Sequence, residues 1–140
     1  MTFTIVFEID PTDGEVSAWS DINGGLLTTI ADGVDSAVMN IRLLIEDFRQ
    51  NEWKNEPFWQ DVDVSVLQFE YQYSLVGFFD AYKALKITEI AKLAGLNPAL
   101  VRAYANGDKN PSATQGKKIE EATHRLAESL LRARVMPQSA

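Results

Sequence analysis

The first residues of the chain alternate between apolar and polar side chains, which is typical of a β-strand with one buried face. The apolar face of this predicted strand consists of Phe3, Ile5, Phe7 and Ile9. A turn is expected over residues 10–14, because Pro11 sets φ and Gly14 permits a positive φ. The chain should therefore reverse there and begin a hairpin.

Two further strands are predicted before residue 31. The second runs through Val16, Ala18 and Trp19 and should pair antiparallel with the first. The third runs from about Leu26 to Ile30, after the glycines at 24 and 25. From Asp32 the apolar spacing changes to three and four, which predicts an amphipathic helix lying on the sheet. Its stripe is Val34, Ala37, Val38, Ile41, Leu44, Ile45 and Phe48.

A loop and a final strand complete the predicted N-terminal half. Residues 50–61 are polar and acidic, which indicates a loop carrying the aromatic residues Trp53, Phe58 and Trp59. A strand should follow from about Val62 to Tyr73. Its apolar positions shift by one near Val66 and Leu67, which predicts a bulge or a change of packing partner there.

Four helices are predicted after Tyr73, each with a capping residue at its start. The predicted caps are Ser74, Thr88, Asn97 before Pro98, and Ser112 with Gln115 in a capping box. The expected fold class is α+β: an N-terminal antiparallel sheet with one helix (β-β-β-α-β) over residues 1–73 and an all-helical domain over residues 74–136. A disordered tail is expected over residues 137–140.

Residues 87–104 carry the pattern of a helix-turn-helix. Two steeply crossing helices need a small residue where they touch, which Ala91 supplies, and Gly95 suits the turn between them. Val101 should point into the angle between the helices, with Ile90, Ala94, Leu96 and Tyr104 completing a small core. The segment resembles the helix-turn-helix of phage-repressor-like regulators, including residues 106–111 after the last helix of the motif.

That resemblance implies that the helix beginning at Pro98 enters the major groove of DNA. The positions expected to meet base edges are Pro98, Ala99, Arg102 and Ala103. Only Arg102 offers a bidentate donor for guanine. The candidates for phosphate contacts are Thr88, Lys92, Asn97, Asn106, Lys109 and Asn110. The alternative for each lysine is an ordinary solvated helix face.

Charge is distributed unevenly along the chain, whose net charge is −7. Residues 1–80 carry 15 acidic and three basic side chains, a net charge of −12. Residues 81–140 carry 10 basic and five acidic side chains, a net charge of +5. This asymmetry predicts two partners, double-stranded DNA for the basic half and a cationic protein for the acidic half. The alternative is that the two halves attract each other or that the acids only confer solubility.

Several classes of protein are disfavoured by what the sequence lacks. With no cysteine and one histidine, His124, neither disulfides nor the usual zinc sites are expected, so we expect no metal or other cofactor. The start of the chain lacks a secretion signal and no long apolar run is present, so a cytoplasmic protein without a membrane span is expected. The acidic residues form no recognisable catalytic set, so we expect no enzyme, with a metal-dependent nuclease as the weakest alternative.

The N-terminal half resembles the HicB-like antitoxin family. The resemblance lies in the order of its elements, the turn over residues 21–24 and the threonine-rich stretch from Thr28 to Asp32 before the helix. It spans most of residues 3–107, although Asp35-Ser36-Ala37 carries an extra serine at the helix start. The resemblance implies a partial ribonuclease-H-like domain that neutralises a small basic mRNA-cleaving toxin, together with repression of the chain's own operon.

Two further expectations concern partners. Trp53, Phe58 and Trp59 are candidates for the contact with a toxin, since exposed aromatic residues concentrate binding energy, although core packing is their commoner role. A homodimer or higher even oligomer is expected, because a short helix-turn-helix gains affinity from two half-sites. The last helix offers a seam of Ile119, Ala122, Leu126, Leu130 and Ala133. The alternative function is a stand-alone transcriptional regulator whose N-terminal domain senses a ligand or dimerises.

Overall fold

The computed structural model describes residues 2–10 and 12–137. The predicted role of Pro11 and the predicted disorder of residues 138–140 lie outside the described residues. The chain divides into two compact units, unit 1 (Met1–Ala81) and unit 2 (Tyr82–Ala140). The boundary falls after residue 81 and beyond the predicted one at residue 73.

Unit 1 is an α+β unit built on a four-stranded sheet of order β3-β2-β1-β4. Its elements are β1 (Thr2–Ile9), β2 (Val16–Ile22), β3 (Gly25–Ala31), α1 (Val34–Gln50), two 3₁₀ turns (Pro57–Trp59 and Val64–Val66), β4 (Gln68–Tyr73) and α2 (Leu75–Ala81). The three strands, the long helix and the final strand follow the predicted order.

The prediction of a wholly antiparallel sheet is wrong. β1 pairs antiparallel with β2, and β2 with β3, but β1 and β4 are parallel. The chain leaves β3, crosses the sheet as α1 and returns to the opposite edge, so β4 enters beside β1 in the same direction. Such a helical crossover is the usual way to join strands to a parallel neighbour.

The hairpin between β2 and β3 closes with a two-residue turn. Asn23 has φ of 49° and Gly24 has φ of 83°, and Ile22 pairs directly with Gly25. Positive φ at both central residues defines the turn that matches the twist of a tight hairpin, and Asn-Gly is the preferred sequence for it.

The core of unit 1 lies between α1 and one face of the sheet. Ala37, Ile41 and Ile45 of α1 are fully buried, as the predicted stripe requires. They pack against the sheet side chains Ile5, Phe7, Val16, Ala18, Ile22 and Leu27. The opposite face of the sheet carries the other strand positions, including half-buried Trp19.

The phase shift near Val66 and Leu67 comes from a 3₁₀ turn and not from a bulge within a longer strand. The Asp63 carboxylate accepts hydrogen bonds from the backbone N–H of Ser65 at 3.0 Å and from its hydroxyl at 2.7 Å. These bonds stabilise a turn at the expense of an extended strand. β4 therefore begins only at Gln68, and the predicted strand from Val62 is corrected.

Unit 2 contains α3 (Ile87–Ala94), α4 (Pro98–Asn106) and α5 (Ala113–Arg132). The helix predicted to start at Ser74 does so, with the Ser74 hydroxyl accepting from the Gly77 N–H at 3.1 Å, but it is α2 of unit 1. Gly77 lies against Ile9 of β1, and the Phe78 ring contacts Tyr73 of β4 edge-on. This packing moves the boundary beyond α2 and leaves unit 2 with three helices among its described residues.

Candidate nucleic-acid interface

α3 and α4 form the helix-turn-helix that the sequence predicts. Ala91 and Val101 are completely buried where the two helices meet, and Ile90 and Tyr104 are nearly so. Gly95 ends α3 in the left-handed region with φ of 72°, where a side chain would be strained. The predicted small residue, turn glycine and inward valine are therefore confirmed in their places.

The two helix starts differ from each other. At α4, the Asn97 carboxamide oxygen accepts from the Ala99 N–H at 2.8 Å and Pro98 occupies the first turn, which confirms the predicted cap. At α3, Lys86 is the capping residue and makes no side-chain bond. The predicted cap at Thr88 is wrong, because Thr88 already lies within the first turn of the helix.

The hydroxyl of Thr88 instead connects the two helices of the motif. It accepts a hydrogen bond at 3.1 Å from Nη1 of Arg102, which lies one turn into α4. This contact restrains an exposed side chain while leaving further guanidinium donors available. Two residues that the sequence separates by a helix and a turn thus meet at the surface.

Each of the predicted DNA-contact residues is at least partly exposed to solvent. Those with exposed side chains are Lys92, Asn97, Ala99, Arg102, Asn106, Lys109 and Asn110, and those half-buried are Thr88, Pro98 and Ala103. On α4, Ala99, Arg102, Ala103 and Asn106 follow helical spacing along the face opposite the buried Val101 and Tyr104. This face is narrow, and Arg102 is its only cation.

One ion pair changes the charge of this surface, and the loop after α4 adds accessible polar residues to it. Lys92 forms an exposed ion pair with Glu89 at 3.5 Å. Such a pair contributes little to stability, so Lys92 is free to exchange it for a phosphate. After α4, Gly107 has φ of 82°, and the carbonyl of Ala103 accepts from the N–H groups of Asp108 and Lys109. This closure of the helix presents Lys109 and Asn110 to solvent.

Two side-chain hydrogen bonds join α5 to the helix-turn-helix, and neither was predicted from the sequence. Nη2 of Arg125 donates to the carbonyl of Leu93 at 2.7 Å, at the C-terminal end of α3. The Tyr104 hydroxyl donates to the Gln115 side-chain oxygen. The predicted capping box is therefore only half formed: the Ser112 hydroxyl accepts from the Gln115 N–H at 3.2 Å, but the Gln115 side chain bonds to Tyr104 and not back to Ser112. The only sequence signal for the Arg125 contact is the general preference for a cation near a helix C-terminus. Because Arg125 is distant from α3 in sequence, this preference does not identify α3 as the helix that it contacts.

The aromatic residues proposed as partner anchors in unit 1 have different environments. Trp59 is 1% exposed and belongs to the core, so its predicted role as an exposed anchor is wrong. Trp53 is half-buried and stacks on Trp59 with centroids 4.7 Å apart and on Phe48 at 5.0 Å. Phe58 is 41% exposed and contacts Trp59 edge-on, so it alone remains openly accessible.

A glycine explains how the tryptophan stack docks on the sheet. A Cβ added to Gly25 would lie 2.8 Å from the Trp53 ring, which is too close for any real contact. Trp53 therefore needs a glycine at the start of β3. From sequence, Gly24 and Gly25 only precede the third strand; in the structure Gly24 lies in the hairpin turn and Gly25 makes room for Trp53.

Two of the three basic side chains of unit 1 donate hydrogen bonds to its own backbone carbonyls. Arg42 donates to the carbonyls of Val64 at 2.9 Å and Leu67 at 2.7 Å, and Arg49 donates to the carbonyl of Trp59 at 3.1 Å. They hold the segment between α1 and β4 in place. The remaining basic residue is Lys54, so the carboxylates dominate the surface of unit 1.

Comparison with known proteins places no constraint on this interface: the chain matches no family model, no curated protein and no solved structure. Within residues 2–10 and 12–137, no helix combines the length and apolar character needed to cross a membrane. The same residues contain no group of three or more acidic, histidine or cysteine side chains placed to hold a metal ion.

Proposed function

We propose that this chain is a cytoplasmic antitoxin and autorepressor, in which unit 2 binds operator DNA and unit 1 binds and neutralises a small basic mRNA-cleaving toxin. The observation that carries the DNA-binding part is the helix-turn-helix itself. Ala91 and Val101 are buried where α3 and α4 meet, Gly95 forms the turn between the two helices, and α4 keeps an exposed face that bears Arg102.

The α4 face suits entry into the major groove. Its first residues are small, so the helix backbone can approach the bases closely, and Arg102 supplies the bidentate donor that recognises guanine. Thr88, Asn97, Lys109 and Asn110 lie at the helix starts and in the following loop, where contacts to phosphate position such a motif. Lys117 and Lys118 at the start of α5 add positive charge to the same unit.

The toxin-binding part rests on charge and on the resemblance to HicB-like antitoxins. Unit 1 carries the whole −12 of the N-terminal half, and two of its three cations are bound to backbone carbonyls. A basic RNA-binding protein would be attracted to this surface by long-range electrostatics. The acidic positions Glu8, Asp21 and Glu70, on the sheet face away from α1, provide accessible contacts for it. Phe58, exposed beside the buried Trp59, is a separate accessible residue.

A dimer of unit 2 would place two α4 helices on two half-sites. The predicted seam divides into two parts: Ile119 and Ala122 are buried within unit 2, whereas Leu126 is half-buried and Leu130 is 62% exposed. Ala133 lies just beyond the end of α5, and Leu131, which was not part of the predicted seam, is 87% exposed. The C-terminal half of α5 is therefore the part left for a second copy.

The DNA-binding proposal is tested by titrating the intact chain against duplexes from its own promoter. Arg102→Glu should reduce the affinity at least tenfold, because it removes the base contact and adds repulsion. Arg134→Glu, which makes the same change in charge at an exposed position beyond α5, is the control and should cost much less. Equal losses in the two variants would show that α4 does not read the DNA.

The antitoxin proposal is tested by co-expression with the product of the neighbouring reading frame and affinity capture at low salt. A stable complex with a small basic protein, and loss of that protein's RNA cleavage in the complex, are expected. Absence of a complex with a folded chain would favour the alternative, a stand-alone transcriptional regulator, and would leave the DNA-binding proposal standing.

A further inference from the structure

The sheet of unit 1 has two edge strands, and they differ in how well their side chains prevent pairing with a strand of another molecule. β4 carries Glu70 and two glutamines, Gln68 and Gln72, on the face away from α1. β3 consists of the residues GLLTTIA and contains no charge and no proline. Natural sheets normally guard an exposed edge with charges, prolines or bulges, because unpaired backbone groups invite another strand. β3 has none of these guards.

The hairpin geometry identifies which backbone groups of β3 are unpaired. A two-residue turn makes its flanking residues, Ile22 and Gly25, a hydrogen-bonded pair. Hydrogen-bonded and non-hydrogen-bonded pairs then alternate along the ladder. Leu26, Thr28 and Ile30 consequently direct their N–H and C=O groups away from β2. No other described strand lies beyond β3 to accept them.

Apolar side chains are concentrated beside this free edge. Leu26 is 66% exposed and Ile30 is 65% exposed, both on the sheet face away from α1. Two large exposed apolar residues on one face of the same edge strand, rather than scattered singly, favour a protein interface there.

We propose that β3 pairs antiparallel with β3 of a second copy of the chain, with Thr28 on the two-fold axis. In this register Leu26 faces Ile30 of the second copy, Ile30 faces its Leu26, and the two Thr28 residues face each other. These are the three residues whose backbone groups point outward, so each facing pair can exchange two hydrogen bonds. A shift of one residue would place outward groups opposite inward ones and lose the ladder.

A second copy fits this edge better than a cationic partner does. The strand is self-complementary about Thr28, and an isologous pairing requires such symmetry. A cationic protein would be drawn to the carboxylates of Glu8, Asp21 and Glu70, which lie on the other three strands. Pairing of the two β3 strands also closes the assembly, since the outer edges of the joined sheet are then the β4 strands that carry Glu70. The expected product is a discrete dimer of unit 1 and not a fibre.

The test exploits the predicted facing of Leu26 and Ile30 across the axis. Leu26→Glu/Ile30→Glu places like charges opposite each other and should halve the mass of the intact chain in light scattering or sedimentation. Leu26→Lys/Ile30→Glu changes the same two exposed positions but places opposite charges in register, and should restore the wild-type mass. Val66→Glu, at a position 71% exposed on the 3₁₀ turn, is the control and should leave the mass unchanged.

A backbone variant tests the hydrogen bonds independently. Thr28→Pro removes an N–H that points away from β2, so it should halve the mass while preserving the fold, as checked by circular dichroism. A wild-type chain that stays monomeric at micromolar concentration, or equal masses for the Glu/Glu and Lys/Glu variants, would overturn the proposal. A dimer through α5 would be lost in Leu130→Glu and not in these variants, and the DNA-binding proposal would be unaffected by failure at β3.

Discussion

At the scale of single residues, Arg102 determines how far the proposed DNA-binding surface would read sequence. It is the only cation on the exposed face of α4, and the Thr88 hydroxyl holds it in the free protein. A restrained side chain loses less conformational entropy on binding, so the contact favours an Arg102 that is already positioned for a base. Recognition by a single arginine leaves the remaining specificity to small residues and to DNA shape.

Arg102→Ala should separate base reading from phosphate binding. We expect operator affinity to fall by about 1–3 kcal/mol, the range for one bidentate base contact, while affinity for a scrambled duplex falls much less. Lys109→Ala should weaken both duplexes to similar degrees, because a phosphate contact carries no sequence information. The measurement is a paired titration at one salt concentration. Equal losses for Arg102→Ala on both duplexes would make Arg102 a phosphate contact.

Asp63 is a second residue whose surroundings make a specific prediction. Hydrogen bonds from the hydroxyl and the backbone N–H of Ser65 lower the pKa of this carboxyl below its ordinary value. Because the folded-state pKa is depressed, the stabilisation is present above the unfolded pKa and is lost as the pH falls through the folded pKa. Ser65→Ala removes the larger contribution and should raise the pKa of Asp63, as measured by NMR titration. The pKa of Asp10, lowered by Thr12, should not change and serves as the internal control.

At the scale of elements, local patterns predicted most of the structure. The stripe of α1, the turn over residues 21–24, and the helix-turn-helix with Asn97 as its cap all depend on residues close together in sequence. Features that depend on distant residues were not predicted. The parallel β4 follows from where α1 delivers the chain, and the burial of Trp59 follows from its stack with Trp53 over Gly25. No periodicity within residues 50–61 contains that information.

The contact from α5 to α3 is a long-range element of this kind. Arg125 donates to the carbonyl of Leu93, where the C-terminal groups of α3 lack helical partners. Arg125→Met keeps the aliphatic stem and removes the donor, so we expect a loss of about 1 kcal/mol in the free energy of unfolding of unit 2. Thermal or urea unfolding of the intact chain measures it. Lys118→Met, an exposed cation on the same helix, should cost clearly less, and equal effects would remove the capping role.

At the scale of the whole molecule, the opposite charges of the two units give their interactions opposite salt dependence. Binding of DNA by the basic unit should weaken as salt rises, because phosphate counterions are released. Pairing of two acidic units through β3 brings like charges together, so it should strengthen as salt screens them. A single salt series on the intact chain, followed by both mass and DNA affinity, distinguishes the two events without any substitution.

Removing negative charge from unit 1 should change the affinity of the chain for DNA and its affinity for a cationic protein in opposite directions. Glu8→Gln/Asp21→Asn/Glu70→Gln removes three negative charges from exposed positions on the sheet face away from α1. Because carboxylates repel the phosphates of DNA, the triple variant is expected to bind random duplex more tightly at low salt if the chain binds DNA as proposed. The gain should fade near physiological salt, where the screening length is about 8 Å. The same variant should bind a small cationic protein less tightly, because its attraction to this face is reduced. Gln72→Ala changes the same face without changing charge and should alter neither affinity. A triple variant that loses affinity for random duplex, or that keeps full affinity for the cationic protein, would show that these carboxylates do not shape either encounter.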